Sequence, residues 1–521
     1  MKSAPSRNSV ELMAVVVTIL GTGMVYLDQT AVNVALPRLQ VALNADVGGL
    51  QWLIDIYILT LGVLLLIGGA LGDMYGRVRV FVIGMVIFVL SSAGCGLANS
   101  LGMLIAARAV QGVGGALLVP GGLAMINAVV AEERRGRALG TWGTFSPLVT
   151  VSGPLVGGWL VDTVSWRAVF FLNIPIGIAA TYVALRHVPE TRDEHASRTL
   201  DVPGVLALMI GLAGLLFGLI EGPHLGWGSP LVAACLAAGA AGLTGFVVVE
   251  WRSPAPLLPL GLFRNRSFTG INLMTLVLYF ALGSLFFFLT LNLQQVQGYT
   301  AFLSGLAQLP STLVLILLAR HVGRLTDRIG PVPLMTVGVL IASAGFFLYA
   351  LPGVGGSYWT TFFAPAVVFG TGMVITFIPL TAVALGSLPN RYSGIASGFN
   401  NAVTRVAQMM SVAIFGALMT DMFRDGLIER TAALPLSAGM RAELLSRARE
   451  LAATTLPAGL PAGVADAVHQ AIQWSFVGAF RQVMFIALGL ALLSLVIMLA
   501  TVRYQPVAQA KAPETAVISA D

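Results

Sequence analysis

Residues 69–77 read GALGDMYGR, and residues 323–331 read GRLTDRIGP. Gly69, Leu71, Asp73 and Gly76 match Gly323, Leu325, Asp327 and Gly330, so one short charged turn between apolar runs occurs twice. A second pair accompanies it: GVGGALLVP at 112–120 resembles GTGMVITFIP at 370–379, one residue longer. The chain therefore reads as two related halves. Parallel repeats of this kind build transporters in which one half rocks against the other around a central site. In the first turn the glycines permit a tight bend, and Asp73 with Arg77 can form a charge-assisted latch on the inner face.

The 521 residues are 57% hydrophobic and 10% charged, with a mean hydropathy of +0.87. Soluble domains carry about 25% charged residues, so a polytopic membrane protein is expected. The net charge of +6 comes without a basic stripe interleaved with aromatics, which argues against a nucleic-acid partner. Cys95 and Cys235 fall inside apolar runs as small core residues. The histidines (His187, His195, His224, His321, His469) are scattered through loops without metal-ligand spacing. Neither a membrane-embedded enzyme nor an ATP-driven pump is expected, and no cofactor or metal.

Apolar runs of about 18–25 residues can each cross the hydrocarbon core. They fall near 12–36, 50–71, 80–98, 102–126, 138–161, 167–185, 203–220, 230–249, 268–292, 302–319, 333–351, 359–386, 394–419 and 481–502. With both termini inside, the inner segments carry nineteen of the Lys and Arg residues, whereas the short outer segments carry only Arg38, Arg167 and Arg481. That asymmetry predicts both termini in the cytoplasm and an even helix count. The expected organisation is an N-terminal six-helix bundle over 1–186, two inserted helices with flanking loops over 187–266, and a C-terminal six-helix bundle over 267–521. The last unit includes a long outer loop, about 420–480, in which LPAGLP (456–461) separates two short amphipathic helices.

Charged residues inside spans mark the site. Within YLDQTAVNVALP (26–37), Asp28 sits in an apolar run that Pro37 is expected to close. A carboxylate there costs at least about 2.5 kcal/mol, so it should face the bundle interior and pair. At about 1.5 Å per residue, Asp28, Asp55 and Arg108 all fall in the outer half of their spans, and Arg405 near the midplane. Asp28 with Arg108, or Asp55 with Arg108, are the candidate pairings. Burial disfavours a charged carboxylate and a neighbouring arginine favours it, so such an acid can exchange a proton. Arg405 is either a substrate contact or a packing charge. Glu221, Glu250 and Asp421 lie at span ends, where interfacial solvation suffices. The aromatics of LYFALGSLFFFL (278–289), with Met373, would suit bulky lipophilic cations in a cavity, although most are expected to face lipid or packing neighbours.

These residues resemble the major facilitator superfamily over essentially the whole chain, and within it the fourteen-helix drug:proton antiporter family. The loop signature G-x-L-a-D-r-x-G-r-k is met by Gly69, Leu71, Asp73, Gly76 and Arg77; it departs at Gly72, Met74 and Val78, with Arg79 one place on. The fourth-span signature L-x-x-x-R-x-x-Q-G-x-G is met by Leu104, Arg108, Gln111, Gly112 and Gly114. The fifth-span antiporter signature is met by Gly140, Gly153, Pro154, Gly157 and Gly158, and departs at Val149. LDQTAVNVALP meets the first-span signature at every fixed position. WLIDIYIL (52–59), with Asp55, looks like the branch that exports quaternary ammonium compounds and dyes.

The resemblance implies an all-α major facilitator fold with fourteen transmembrane helices. It also implies proton-coupled multidrug efflux across the cytoplasmic membrane, with lipophilic cations and protons as partners and a monomer in the bilayer. Asp28, Asp55 and Arg108 would carry coupling, and the 69–77 and 323–331 turns would gate. An exporter of an endogenous lipid, siderophore or secondary metabolite is the alternative that the same motifs allow.

Overall fold

The computed structural model describes residues 7–193, 201–253, 258–388 and 393–503. Lys2, Arg198, Arg391 and Lys511, counted with the inner charges, and His195 lie outside the described residues. Fourteen helices are long and apolar enough to cross a membrane. They are α1 Arg7–Leu43, α2 Val47–Tyr75, α3 Arg77–Gly96, α4 Leu101–Val129, α5 Glu132–Thr163, α6 Trp166–His187 and α7 Val202–Leu225. The rest are α8 Pro230–Arg252, α9 Arg266–Val296, α10 Ala301–Ile329, α11 Pro331–Ala350, α12 Phe363–Gly386, α13 Ser393–Thr431 and α14 Ala462–Thr501.

Local chemistry sets several of the starts. Asp46 accepts from the Gly49 amide at 2.8 Å, and Asp201 from Gly204 at 2.9 Å. Asn265 accepts from Ser267 and Phe268, and Thr300 from Leu303. Each satisfies amides that the first helical turn leaves without partners.

The packing repeats between the halves. α1 packs on α5, α2 and α3 on α4, and α3 on α6; correspondingly α9 packs on α13, α10 and α11 on α12, and α11 on α14. The two halves meet through α5 with α10 and α2 with α13. The helices α7 and α8 pack on each other, and α7 touches α2 and α13 from outside.

Several boundaries differ from the sequence reading, and α10 continues past its expected end near 319 to Ile329. Pro37 does not close α1, which continues to Leu43. The expected 420–480 loop shrinks to the stretch between Thr431 and Ala462, because α13 and α14 continue past the apolar runs. At 40 residues, α14 spans about 60 Å, twice a bilayer core. The extensions are amphipathic and pack on each other: Phe423, Leu427, Ile472 and Phe476 are buried, whereas Arg424 and Glu429 stay exposed. Of the two short helices expected there, one is Ala438–Ser446, and the other is the start of α14, which begins directly after Pro461.

Candidate functional site

Asp28 on α1 and Arg108 on α4 form an ion pair, and both side chains are fully buried. The second Asp28 oxygen accepts from Gln111 Nε2 at 2.9 Å and from Asn173 Nδ2 at 2.8 Å. Both amides also donate to Ser92 Oγ, at 2.7 and 3.2 Å. Arg108 donates to the Leu53 carbonyl at 3.3 Å and to Gln111 Oε1 at 2.8 Å, and its guanidinium lies 4.1 Å from the centre of the Tyr57 ring. Every helix of the first half except α5 therefore contributes to one buried polar network. The α6 helix is interrupted at Leu172, immediately before Asn173, which brings this amide to the carboxylate. Networks of this kind hold helices in register because any unsatisfied member would be costly.

Of the two pairings left open by the sequence, the structure holds Asp28 with Arg108. Asp55 stands apart. It is fully buried, and neither of its oxygens has a hydrogen-bond partner among the described residues. It shares a stripe of α2 with Gln51 and Gly62, four residues before and seven after. Gln51 donates to the Val412 carbonyl of α13, and Gly62 packs against Arg405 of α13. Asp55 thus lies where the two halves touch, on the side that α7 covers.

A central cavity lies between the halves in two lobes, of about 300 and 420 Å³, which share Gln29, Asn33, Phe286, Thr312 and Gln408. Tyr279, Phe286, Phe287, Phe369, Met373 and Phe377 line the first lobe, with Tyr279 stacked on Phe377 at 5.1 Å. Tyr26, Thr30, Thr150, Gln308, Asn401, Thr404 and Arg405 line the second. Asp28 and Asp55 line neither lobe, whereas their neighbours Gln29 and Ile54 line the first. The α9 and α12 aromatics could not be separated from lipid-facing residues by sequence, since both surfaces are equally apolar.

The cavity is closed on the face opposite the start of α1 and the end of α14. Asp162, near the end of α5, accepts from the Ala301 and Phe302 amides at the start of α10, at 3.1 and 2.8 Å. Gln294 of α9 donates to the Val34 carbonyl at 2.9 Å, and Gln295 to Gln40 at 2.8 Å. Gln40 in turn donates to the Glu450 carbonyl at 3.0 Å. Toward the face where α1 begins and α14 ends, no hydrogen bond or ion pair joins the halves among the described residues.

The fifth-span glycines build this closure. A Cβ at Gly157 would stand 2.7 Å from Ala31 of α1, and one at Gly158 would stand 2.7 Å from the Ala301 carbonyl of α10. Gly153 faces Thr30, Pro154 lines the cavity, and Gly140 has open space beside it. At Val149, where the signature has glycine, the space is supplied from α1: Gly23 would place a Cβ only 3.0 Å from Val149 Cγ1.

The repeated turns share backbone geometry, with φ of +110° at Gly76 and +90° at Gly330. Asp73 at the end of α2 pairs with Arg77 at the start of α3 at 2.8 Å, across the Gly76 bend, and makes no bond to the second half among the described residues. A strap not foreseen from the sequence crosses the bend: Glu190 accepts from the Val78 and Arg79 amides at 3.0 Å, and Arg77 N donates to the Thr191 carbonyl at 2.9 Å. Gly69 packs beside Pro120. The bends are shorter than the sequence reading expected, because only Gly76 and Gly330 leave the helices: Gly69 and Asp73 lie within α2, and Gly323 and Asp327 within α10. Gly323 has open space beside it, and Asp327 is exposed and unpaired among the described residues. Of the span-end acids, Glu221 accepts from Trp52 Nε1 at 2.9 Å and Glu250 accepts from Leu258 N at 3.0 Å. Asp421 is exposed.

The model of the Major Facilitator Superfamily matches residues 18–412. A tetracenomycin C resistance and export protein of Streptomyces glaucescens is 33% identical, over 96% of this chain and 93% of its own length. The multidrug resistance protein Stp of Mycobacterium tuberculosis is 32% identical over 84% and 82%. Among solved structures, a bacterial homologue of the human lysosomal transporter Spinster, inward-facing and unoccupied, has a TM-score of 0.63 at 16% identity, covering 97% of this chain and 100% of that one; this likeness concerns the fold alone. Fourteen membrane-crossing helices, a duplicated packing scheme and these matches place the chain in the major facilitator superfamily, a family of membrane transporters rather than enzymes.

Proposed function

We propose that the chain exports drug-sized amphipathic molecules, antibiotics among them, in exchange for protons, from a bacterial cytoplasmic membrane with both termini in the cytoplasm. The charge asymmetry of the loops supports the orientation, and the names of the two relatives support the substrate range. The observation that carries the coupling is the two-faced character of α1. One face holds Asp28 in the buried network, and the adjacent residues Tyr26, Gln29, Thr30 and Asn33 line the cavity.

A proton on Asp28 weakens its hold on Arg108 and frees α1 from α4, while substrate acts on the same helix from the cavity. A proton on Asp55 neutralises a carboxyl that lies without a partner between α2 and α13. The two acids thereby bias how the halves meet, without touching the substrate in this state. Lipophilic cations, expected from the Asp55 segment, have no carboxylate among the described cavity residues to meet them.

The test is efflux in cells expressing the chain. Intracellular accumulation of a fluorescent antibiotic falls, and a protonophore restores it. Accumulation equal to that of empty-vector cells contradicts the reading.

A further inference from the structure

The charge inside the cavity specifies the substrate more narrowly. Arg405 is the one side chain with a formal charge among the described residues lining either lobe, and it is half-buried. It has no carboxylate partner among the described residues. Asp28 is saturated by Arg108, Gln111 and Asn173, and Asp55 is sealed away from the cavity. Asn401 and Gln408 lie four residues before and three after Arg405 and line the same lobe, which gives the guanidinium neutral amide neighbours and no competing acid. A cation entering the lobe is repelled by Arg405, and the low local dielectric strengthens that repulsion. An anionic oxygen is attracted there and can take a charge-assisted bond from the planar guanidinium.

The adjoining lobe is aromatic, with the stacked Tyr279–Phe377 pair in its wall. Planar rings settle against such faces by offset stacking. Since the lobes share Gln29 and Gln408, one molecule can occupy both.

We infer that the preferred substrates are planar aromatic compounds bearing an acidic oxygen, a carboxylate or a phenolate, with the rings between Tyr279 and Phe369 and the anionic group at Arg405. This rests on the export reading above but is measurable without transport.

The experiment uses two xanthene dyes of similar shape and opposite charge: anionic fluorescein and the cationic methyl ester of tetramethylrhodamine. Binding to the purified full chain in detergent is read by fluorescence anisotropy, and uptake by proteoliposomes with an imposed pH gradient. Fluorescein should bind at least tenfold more tightly than the rhodamine ester. Arg405→Gln should weaken fluorescein at least tenfold and leave the rhodamine ester unchanged or improved, while Arg405→Lys keeps most of the fluorescein affinity. Equal or tighter binding of the cation, no binding of either dye, or an unchanged fluorescein affinity in Arg405→Gln overturns the charge assignment. An Arg405→Lys protein that loses both dyes alike also overturns it, because the residue would then be a packing element. Fluorescein that binds as described yet is never transported leaves the charge assignment standing and defeats the export reading instead.

Discussion

The Arg108 guanidinium rests on the Tyr57 ring at 4.1 Å and closes on the Asp28 carboxylate, out of reach of the cavity. The pair is thus a structural joint between α1 and α4 as well as a candidate proton site, and the two roles predict different outcomes. Asp28→Asn strands the Arg108 charge. Breaking a buried pair on one side costs about 3–5 kcal/mol. Thermal unfolding should fall accordingly, and gradient-driven transport should drop to background. Adding Arg108→Gln should restore much of the thermal stability and none of the transport. Wild-type uptake by Asp28→Asn would remove this acid from the coupling.

Asp55 predicts the opposite signature. Its oxygens have no partner to lose among the described residues, so Asp55→Asn should leave the unfolding temperature equal or higher. Transport against a gradient should be lost, while exchange of labelled for unlabelled substrate at equal concentrations persists. A clear drop in unfolding temperature would show that the carboxylate has a structural partner.

Gly158 sits where α5 meets α10 on the closed face, and an added Cβ would stand 2.7 Å from the Ala301 carbonyl. Overpacking of this kind costs about 1–3 kcal/mol. The cost falls on the closed arrangement alone, so Gly158→Ala should raise labelling of a cysteine placed at Thr312 by a reagent added from the closed face. Unchanged labelling would show that the α5–α10 contact does not set the closure.

Gly76 takes φ of +110° beside the Glu190 carboxylate, which a Cβ would approach to 2.7 Å. Gly76→Ala should therefore destabilise by about 1–3 kcal/mol. Glu190→Gln weakens the charge at the start of α3 and should cost about 0.3–1 kcal/mol. Thermal unfolding of the two variants checks the order, and a larger loss for Glu190→Gln would contradict it.

The spans, the duplication and the residue types of the site were legible because each leaves a sequence pattern: apolar length, a repeated Gly–Asp–Gly motif, and charges where charges are expensive. The choice between Asp28 and Asp55 as the partner of Arg108 was not legible, since depth along a helix does not fix which face a residue takes. Asn173 and Ser92 were missed because uncharged polar residues are common in spans. The only signal was an asparagine between the apolar stretches VFFL and IPIG. Glu190 was missed because its role depends on a strap folding back over a turn more than a hundred residues earlier. The 420–480 stretch was misjudged because its helical continuations are amphipathic, and an apolar-run criterion stops at the membrane surface.

Proton-driven movement of substrate through the central cavity is measured most directly in proteoliposomes holding the purified full chain. Uptake of a fluorescent antibiotic is followed under an imposed pH gradient, then after the gradient is collapsed. Uptake should require the gradient, vanish with a protonophore, and be absent in both Asp28→Asn and Asp55→Asn. Equal uptake with and without the gradient, or wild-type uptake in both variants, would contradict proton-driven movement.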